Sequence, residues 1–252
     1  MDRPELELAV APALRLFLAP RHRDGPVRVR CDGTSTLGHL VESLGVPLPE
    51  VGRLVVDGQP VAPGYRPAGG ERAAAEAVAR PQRLPAARFL LDVHLGALAR
   101  RMRLVGLDAD YANDRDDDEL IARANATGRV LLTRDRGLLR RRALWLGAYV
   151  RGDRPDDQLA DVVGRFDPPL APWTRCTLCN GPLGQVRKGE VERELRPGTR
   201  RTYADFARCG DCGRIYWRGA HAARLTRIVD RAVARGTAAD PVTTRGSANP
   251  PG

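Results

Sequence analysis

The chain has 252 residues, 42% of them hydrophobic, with 41 basic and 31 acidic side chains and a formal net charge of +10. That length accommodates two or three small domains, and the ordinary apolar content excludes a wholly disordered chain. No run of about 18 apolar residues occurs, which argues against a membrane-spanning helix, and Met1-Asp2-Arg3-Pro4-Glu5 is not expected to open a secretory leader.

Residues 1–12 read as an N-terminal arm and 13–80 as a first compact unit. Leu14, Leu16 and Leu18 alternate as in a strand, and Val27-Arg28-Val29-Arg30-Cys31 alternates as its hairpin partner. Thr36 or Ser35 can cap a helix whose Leu37, Leu40, Val41 and Leu44 share a face, with Gly45 to end it. Strand, Asp57-Gly58 turn and strand follow over 51–61. The alanine-rich stretch 71–79 fits strand or helix equally. Hairpin, helix, hairpin is the order of a β-grasp. Val55-Val56-Asp57-Gly58-Gln59-Pro60-Val61 and Gly69-Gly70-Glu71 resemble ubiquitin-like modules of the sulfur-carrier type, which implies a strand at 71–79. A carrier needs a free Gly-Gly carboxylate, and Gly69-Gly70 is internal. The module is therefore expected to bind a protein partner or to pack on its neighbour.

Residues 81–87, with Pro81 and Pro85, are expected to form a linker, and 88–170 alternate strand and helix. Phe89-Leu90-Leu91 predicts a strand ending at Asp92, followed by an amphipathic helix over 95–106. Asp116 and Glu119 have capping-box spacing before a helix over 120–127. Arg129-Val130-Leu131-Leu132-Thr133 is the next strand, closely followed by Asp135, and 148–150 with the helical 157–166 complete a βαβ series. Such a series implies a mostly parallel sheet.

Cys176-Thr-Leu-Cys179 and Cys209-Gly-Asp-Cys212 have metal-binding spacing. Four thiolates complete a tetrahedral site with no open position, so a structural Zn²⁺ is expected; the alternative, a redox dithiol, usually appears as one such pair opening a helix. Paired knuckles without a leader fit a reducing cytoplasm. A zinc ribbon with a C-terminal helix is expected over 171–235 and a disordered tail over 236–252. Residues 171–252 carry 15 basic and 7 acidic side chains, the footprint of a polyanion binder. Arg187, Lys188, Arg200, Arg201, Arg214 and Trp217 are candidate contacts to single-stranded RNA, since cations follow the backbone and aromatic faces stack on unpaired bases. Tyr216 or Phe206 is assigned to the ribbon core before RNA.

Asp92 and Asp135 each stand just past an apolar strand, where parallel sheets place their ligands, and the acidic run 114–119 can deliver a third carboxylate. Crowded carboxylates call for a hard cation such as Mg²⁺ or Mn²⁺, which can activate water for phosphodiester hydrolysis. A purely structural reading is also open: Asp116 caps a helix, Asp117 to Glu119 favour its dipole, and Asp135 caps the turn at 137–139. Arg100, Arg101 and Arg103 suit either a phosphate clamp or a solvated helix face.

The strings 89–100, Leu104-Val105-Gly106-Leu107-Asp108, Asp117-Asp118-Glu119-Leu120-Ile121 and 129–139 closely resemble the Mut-seven C-terminal RNase family of PIN-like nucleases. Many bacterial members have a ubiquitin-like module before the nuclease and a four-cysteine ribbon after it. The resemblance implies an α/β fold of three parts: a ubiquitin-like β-grasp, a PIN-like parallel-sheet domain and a zinc ribbon. It also implies Asp92, Asp117 and Asp135 as catalytic metal ligands. Related proteins often carry another acid where this chain has Gly137; Asp116 or Asp153 is a candidate substitute. Arg134 and His94 are candidate accessory residues, with a structural role open for His94. A cytoplasmic, metal-dependent ribonuclease is the resulting expectation, and a non-catalytic RNA- or ribosome-binding adaptor is the alternative.

Overall fold

Leu6, Leu8 and Val10 alternate with exposed Glu5, Glu7 and Ala9 and point inward, forming β1 (Glu5–Val10). The computed structural model describes residues 4–217 and Asp230. The expected C-terminal helix, beyond Asp230 itself, and the tail at 236–252 lie outside the described residues. β1 falls in the stretch expected to be an arm, whereas the strand expected at 13–19 is a 3-10 turn, Pro12–Phe17. Pro12 has no N–H to give to a ladder and favours the first position of a turn. β2 (Val27–Arg30) accordingly pairs antiparallel with β1.

α1 (Leu37–Ser43) starts at Thr36, whose hydroxyl accepts from the His39 amide. β3 (Val51–Val56) turns through Asp57 and Gly58, both at positive φ, into β4 (Gln59–Val61). β5 (Arg72–Ala77) is inserted between β1 and β3, parallel to the first and antiparallel to the second. Its alanines favour helix in isolation, but hydrogen bonding on both edges imposes a strand. The resulting order β2-β1-β5-β3-β4, with α1 packed over Leu6, Leu8, Leu54 and Val56, is a ubiquitin-like β-grasp.

The second domain is a four-stranded parallel sheet ordered β7-β6-β8-β9, built from β6 (Arg88–Leu91), β7 (Asp108–Tyr111), β8 (Val130–Thr133) and β9 (Gly147–Tyr149). Both faces of β6 are buried. Phe89 and Leu91 meet α2 (Gly96–Leu104) and α5 (Pro155–Phe166), and Leu90 meets α3 (Asp117–Thr127) and α4 (Arg136–Leu139). The connection from β6 leads to one side and the connection into β8 returns to the other. The carboxyl ends of β6 and β8 therefore flank the crevice where strand order reverses.

The third unit is an antiparallel ribbon of β10 (Leu183–Val186), β11 (Phe206–Cys209) and β12 (Ile215–Trp217), with short α6 (Lys188–Val191) and α7 (Pro197–Thr202) between its first two strands. Among the described residues no helix is long and apolar enough to cross a membrane.

A buried ion pair joins the first two domains. Glu50, 0% exposed, receives Arg165 Nη1 at 2.5 Å and the Tyr149 amide at 2.8 Å, and Arg165 is 1% exposed. Arg165 also donates to Gln82, so the linker lies on α5 rather than hanging free. Arg136 stacks on the Phe17 ring and donates to the Phe17 and Leu16 carbonyls. Glu50→Gln keeps the shape and leaves the Arg165 charge unmatched, so it should cost about 3–5 kcal/mol of stability. Thermal denaturation of the full chain tests this, and an unchanged unfolding midpoint refutes it.

Candidate active site and metal centre

Asp92 follows β6, where it is 5% exposed, and its Oδ2 accepts the Thr133 hydroxyl at 2.6 Å. The same Thr133 Oγ1 accepts the Asp135 amide at 2.8 Å. One buried hydroxyl thus ties together the two aspartates beyond neighbouring strands. The Asp92 amide extends the ladder by donating to Leu132 O. Thr133 was absent from the sequence-derived candidates. Its signal was present, a hydroxyl at the last position of an otherwise apolar strand.

Asp135 caps α4, its Oδ1 accepting from the Gly137 amide at 2.6 Å and more distantly from Leu138. Capping and metal binding are compatible here, because both amides use Oδ1 and leave Oδ2 available. A β-carbon at Gly137 would stand 3.1 Å from that Oδ1. The tight cap therefore favours glycine at this position.

Asp117 occupies the first position of α3, at the same carboxyl edge of the sheet. It is exposed and makes no hydrogen bond or ion pair among the described residues. Asp116 is committed elsewhere: it forms a reciprocal capping box with Glu119. Asp118 pairs with Arg141. Asp153 and Arg134 pair with one another at 2.9 Å. His94 is exposed on the 3-10 turn after Asp92. Asp92, Asp117 and Asp135 share an edge, but they do not form a group whose oxygens all lie within 4.8 Å; among the described residues only the four cysteines meet that measure.

Cys176 and Cys209 are buried, Cys179 and Cys212 exposed, and their sulfurs approach to 3.7 Å (Cys176 to Cys212) and 3.4 Å (Cys179 to Cys209). Four soft donors at these separations could bind a metal such as zinc. Burial disfavours the Cys176 thiolate, but donors including the Cys179 amide and the Tyr216 hydroxyl outweigh it and lower its pKa to about 6. Desolvation and the neighbouring sulfurs push Cys179 up to about 12. The thiols thus share protons that a cation would displace. Tyr216 lies 3.0 Å from Cys176 Sγ and Phe206 is buried, placing both in the ribbon core as expected.

Arg103 departs from expectation. It is 3% exposed, with Nε on Ala109 O and Nη1 on the carbonyls of Thr177 and Leu178 in the first knuckle. It lies one helical turn (i+4) after buried Ala99, which places it on the buried face of α2. It cannot contact RNA there. Arg101 pairs with Asp156, and Arg100 is exposed. On the ribbon, Arg187 pairs with Glu190 and Arg200 with Glu192. Lys188, Arg201 and Arg214 have no acidic partner among the described residues, and Trp217 lies 6.2 Å from Tyr203.

The model of the Mut7-C RNAse domain matches residues 87–229, and that of the Mut7-C ubiquitin domain matches residues 3–83. No curated protein and no solved structure matches the chain.

Thr133→Val keeps the branched shape and removes the shared hydroxyl. Both Asp92 and the Asp135 amide lose a partner, so stability should fall by about 1–3 kcal/mol, and Thr133→Ser should restore most of it. Denaturation midpoints of the two variants measure the difference; equal midpoints would contradict the role of the hydroxyl.

Proposed function

Because the chain belongs to the Mut7-C RNAse domain family, we propose that it is a cytoplasmic ribonuclease that hydrolyses phosphodiester bonds of RNA with Mg²⁺ or Mn²⁺. The observation carrying this reading is the Thr133-linked pair of Asp92 and Asp135 at the strand-order reversal, with the unpartnered Asp117 on the same edge. The donor set is hard oxygen, and Mg²⁺ keeps several of its waters, so the three carboxylates need not close on it directly. When bound, such an ion lowers the pKa of water and stabilises the leaving oxygen. Asp92 and Asp135 supply fixed oxygens, and Asp117 supplies a third that is free to turn.

The ribbon holds the RNA in this proposal. Lys188, Arg201 and Arg214 offer unpaired charge, and the Trp217 and Tyr203 rings offer stacking faces. Zn²⁺ on Cys176, Cys179, Cys209 and Cys212 has a structural role. A second reading, a non-catalytic RNA- or ribosome-binding adaptor, is favoured by Gly137, which leaves the edge one acid short of related nucleases.

Elemental analysis should find one zinc per chain, lost in Cys176→Ser/Cys209→Ser and retained in Cys31→Ser. Absence of zinc from the wild type would remove the ribbon's metal role.

Asp92→Asn, Asp117→Asn and Asp135→Asn should each reduce metal-dependent cleavage of a labelled RNA pool to background while RNA binding survives. Asp118→Asn, one position away and turned toward Arg141, should retain most activity. If the wild type with Mg²⁺ or Mn²⁺ cuts nothing that Asp135→Asn leaves whole, the adaptor reading replaces the nuclease.

A further inference from the structure

Trp145 is 75% exposed, more than any other large apolar side chain among the described residues. Leaving such a ring in water forgoes roughly 1.5–3 kcal/mol of burial. Its loop is nonetheless well anchored. The Trp145 amide donates to Asn125 Oδ1 at 3.1 Å, Asn125 Nδ2 donates to Ala143 O at 2.6 Å, and Leu144 packs on the core beneath α3. The indole is thus held outward on a fixed support.

Arg140, Arg141 and Arg142 precede it, all exposed. Arg141 is paired with Asp118, whereas Arg140 and Arg142 have no acidic partner among the described residues. These residues line one wall of a cleft of about 440 Å³ between the domains. The facing wall comes from the ubiquitin-like domain, through His39 and Glu42 of α1 with Leu48 and Pro63. Glu42 is the one carboxylate among the lining residues.

We propose that this inter-domain cleft is a binding site for single-stranded RNA, with a base stacked on Trp145 and phosphates on Arg140 and Arg142. The choice of RNA rests on the ribonuclease reading. Two observations of the cleft support it. The unmatched guanidinium groups of Arg140 and Arg142, lining the same cleft as an exposed ring, complement a polyanion with stacking faces. The Arg141–Asp118 pair also joins the cleft to the first turn of α3, one residue from Asp117, so a strand leaving the cleft meets the carboxylate edge. The ubiquitin-like domain then has a defined part, as the second wall of the groove.

The test is fluorescence anisotropy of a short labelled single-stranded RNA with the full chain, in an Asp135→Asn background without added divalent ions, so that the RNA stays whole. Trp145→Ala should weaken binding about tenfold, the effect of losing one stacked base. Trp145→Phe should recover most of the affinity and Trp145→Leu should not. Arg140→Gln/Arg142→Gln should flatten the slope of log affinity against log salt by about 1.4, for two phosphate contacts on a single strand. Unfolding midpoints should match the parent, since these side chains are exposed. Unchanged affinity and slope overturn the proposal, as does a leucine that serves as well as phenylalanine, which would mark an apolar protein-docking face. The nuclease reading fails separately: Trp145-dependent binding by a wild type that cuts no RNA leaves the cleft standing. Cleavage with affinity indifferent to position 145 leaves only the nuclease.

Discussion

Glu50 and Arg165 are withdrawn from water where the ubiquitin-like and nuclease domains meet, and the relative placement of the two folds depends on this pair. Desolvating two charges is expensive, and their attraction repays it only when the remaining hydrogen-bonding capacity is also met. Here Glu50 Oε1 takes both Arg165 and the Tyr149 amide, and Arg165 also reaches Gln82 and the Pro49 carbonyl. Among the described residues, buried Glu50 Oε2 has no hydrogen bond and only the Arg151 guanidinium nearby, at 4.0 Å. Such a network tolerates few alternative arrangements. An apolar contact could slide, but a guanidinium with three fixed hydrogen-bond partners cannot do so without leaving a charge unmatched in the interior. Arg80 on Asp161, Arg151 on Ala13 O and Arg136 over Phe17 extend the joint along the boundary. The two walls of the Trp145 cleft are consequently set at a fixed spacing.

The ribbon is joined by the same device. Arg103 crosses from α2 to the carbonyls between the first two cysteines, and Asn180, directly after Cys179, bridges Asp108 and the Ala109 amide. Burial works against the Asp108 carboxylate, but hydrogen bonds from Arg129 and Asn180 more than offset it and keep its pKa below the ordinary value. Burial lowers the Arg103 pKa, which nearby acids, led by Asp110, pull partly back. The knuckle therefore rests on the edge strand of the nuclease sheet. A metal on the knuckle would also order the acceptors for a buried arginine of the nuclease domain and would couple folding of the two units through that contact.

What could be read from the residues follows how local each feature is. The capped helices at Thr36 and Asp116, the Asp57-Gly58 turn and the paired cysteines are written in a few neighbouring residues, and the structure contains them as expected. β1 was missed because leucine alternation at 14–18 looks like a strand until Pro12 and a long-range pairing with β2 decide otherwise. The alanines of β5 became strand only through partners on both edges. Arg103 was misplaced because charge was weighed above helical spacing. Trp145 and Arg140–Arg142 carry no signal in isolation, since the cleft they line needs a facing wall about 100 residues away in the chain. Nor does spacing show that Thr133 would hold Asp92 and Asp135 through one hydroxyl.

The acidic edge and the basic surfaces around it are kept apart by ion pairing rather than by distance alone. Asp110 is taken by Arg115 and Arg123, Asp118 by Arg141, and Asp153 by Arg134, so most carboxylates near the strand ends already have a cation. Asp92, Asp117 and Asp135 have no arginine partner among the described residues, nor do Asp116 and Glu119, which instead cap α3 together. In the proposed reaction a divalent ion would favour Asp92, Asp117 and Asp135, since Asp110, Asp118 and Asp153 are already neutralised by arginines. RNA, repelled by bare carboxylates, would instead be drawn to arginines that have no acid, such as Arg140 and Arg142 in the cleft and Arg201 and Arg214 on the ribbon. Pairing some charges and leaving others unmatched would thus sort one strongly basic chain into places for a cation and places for a polyanion.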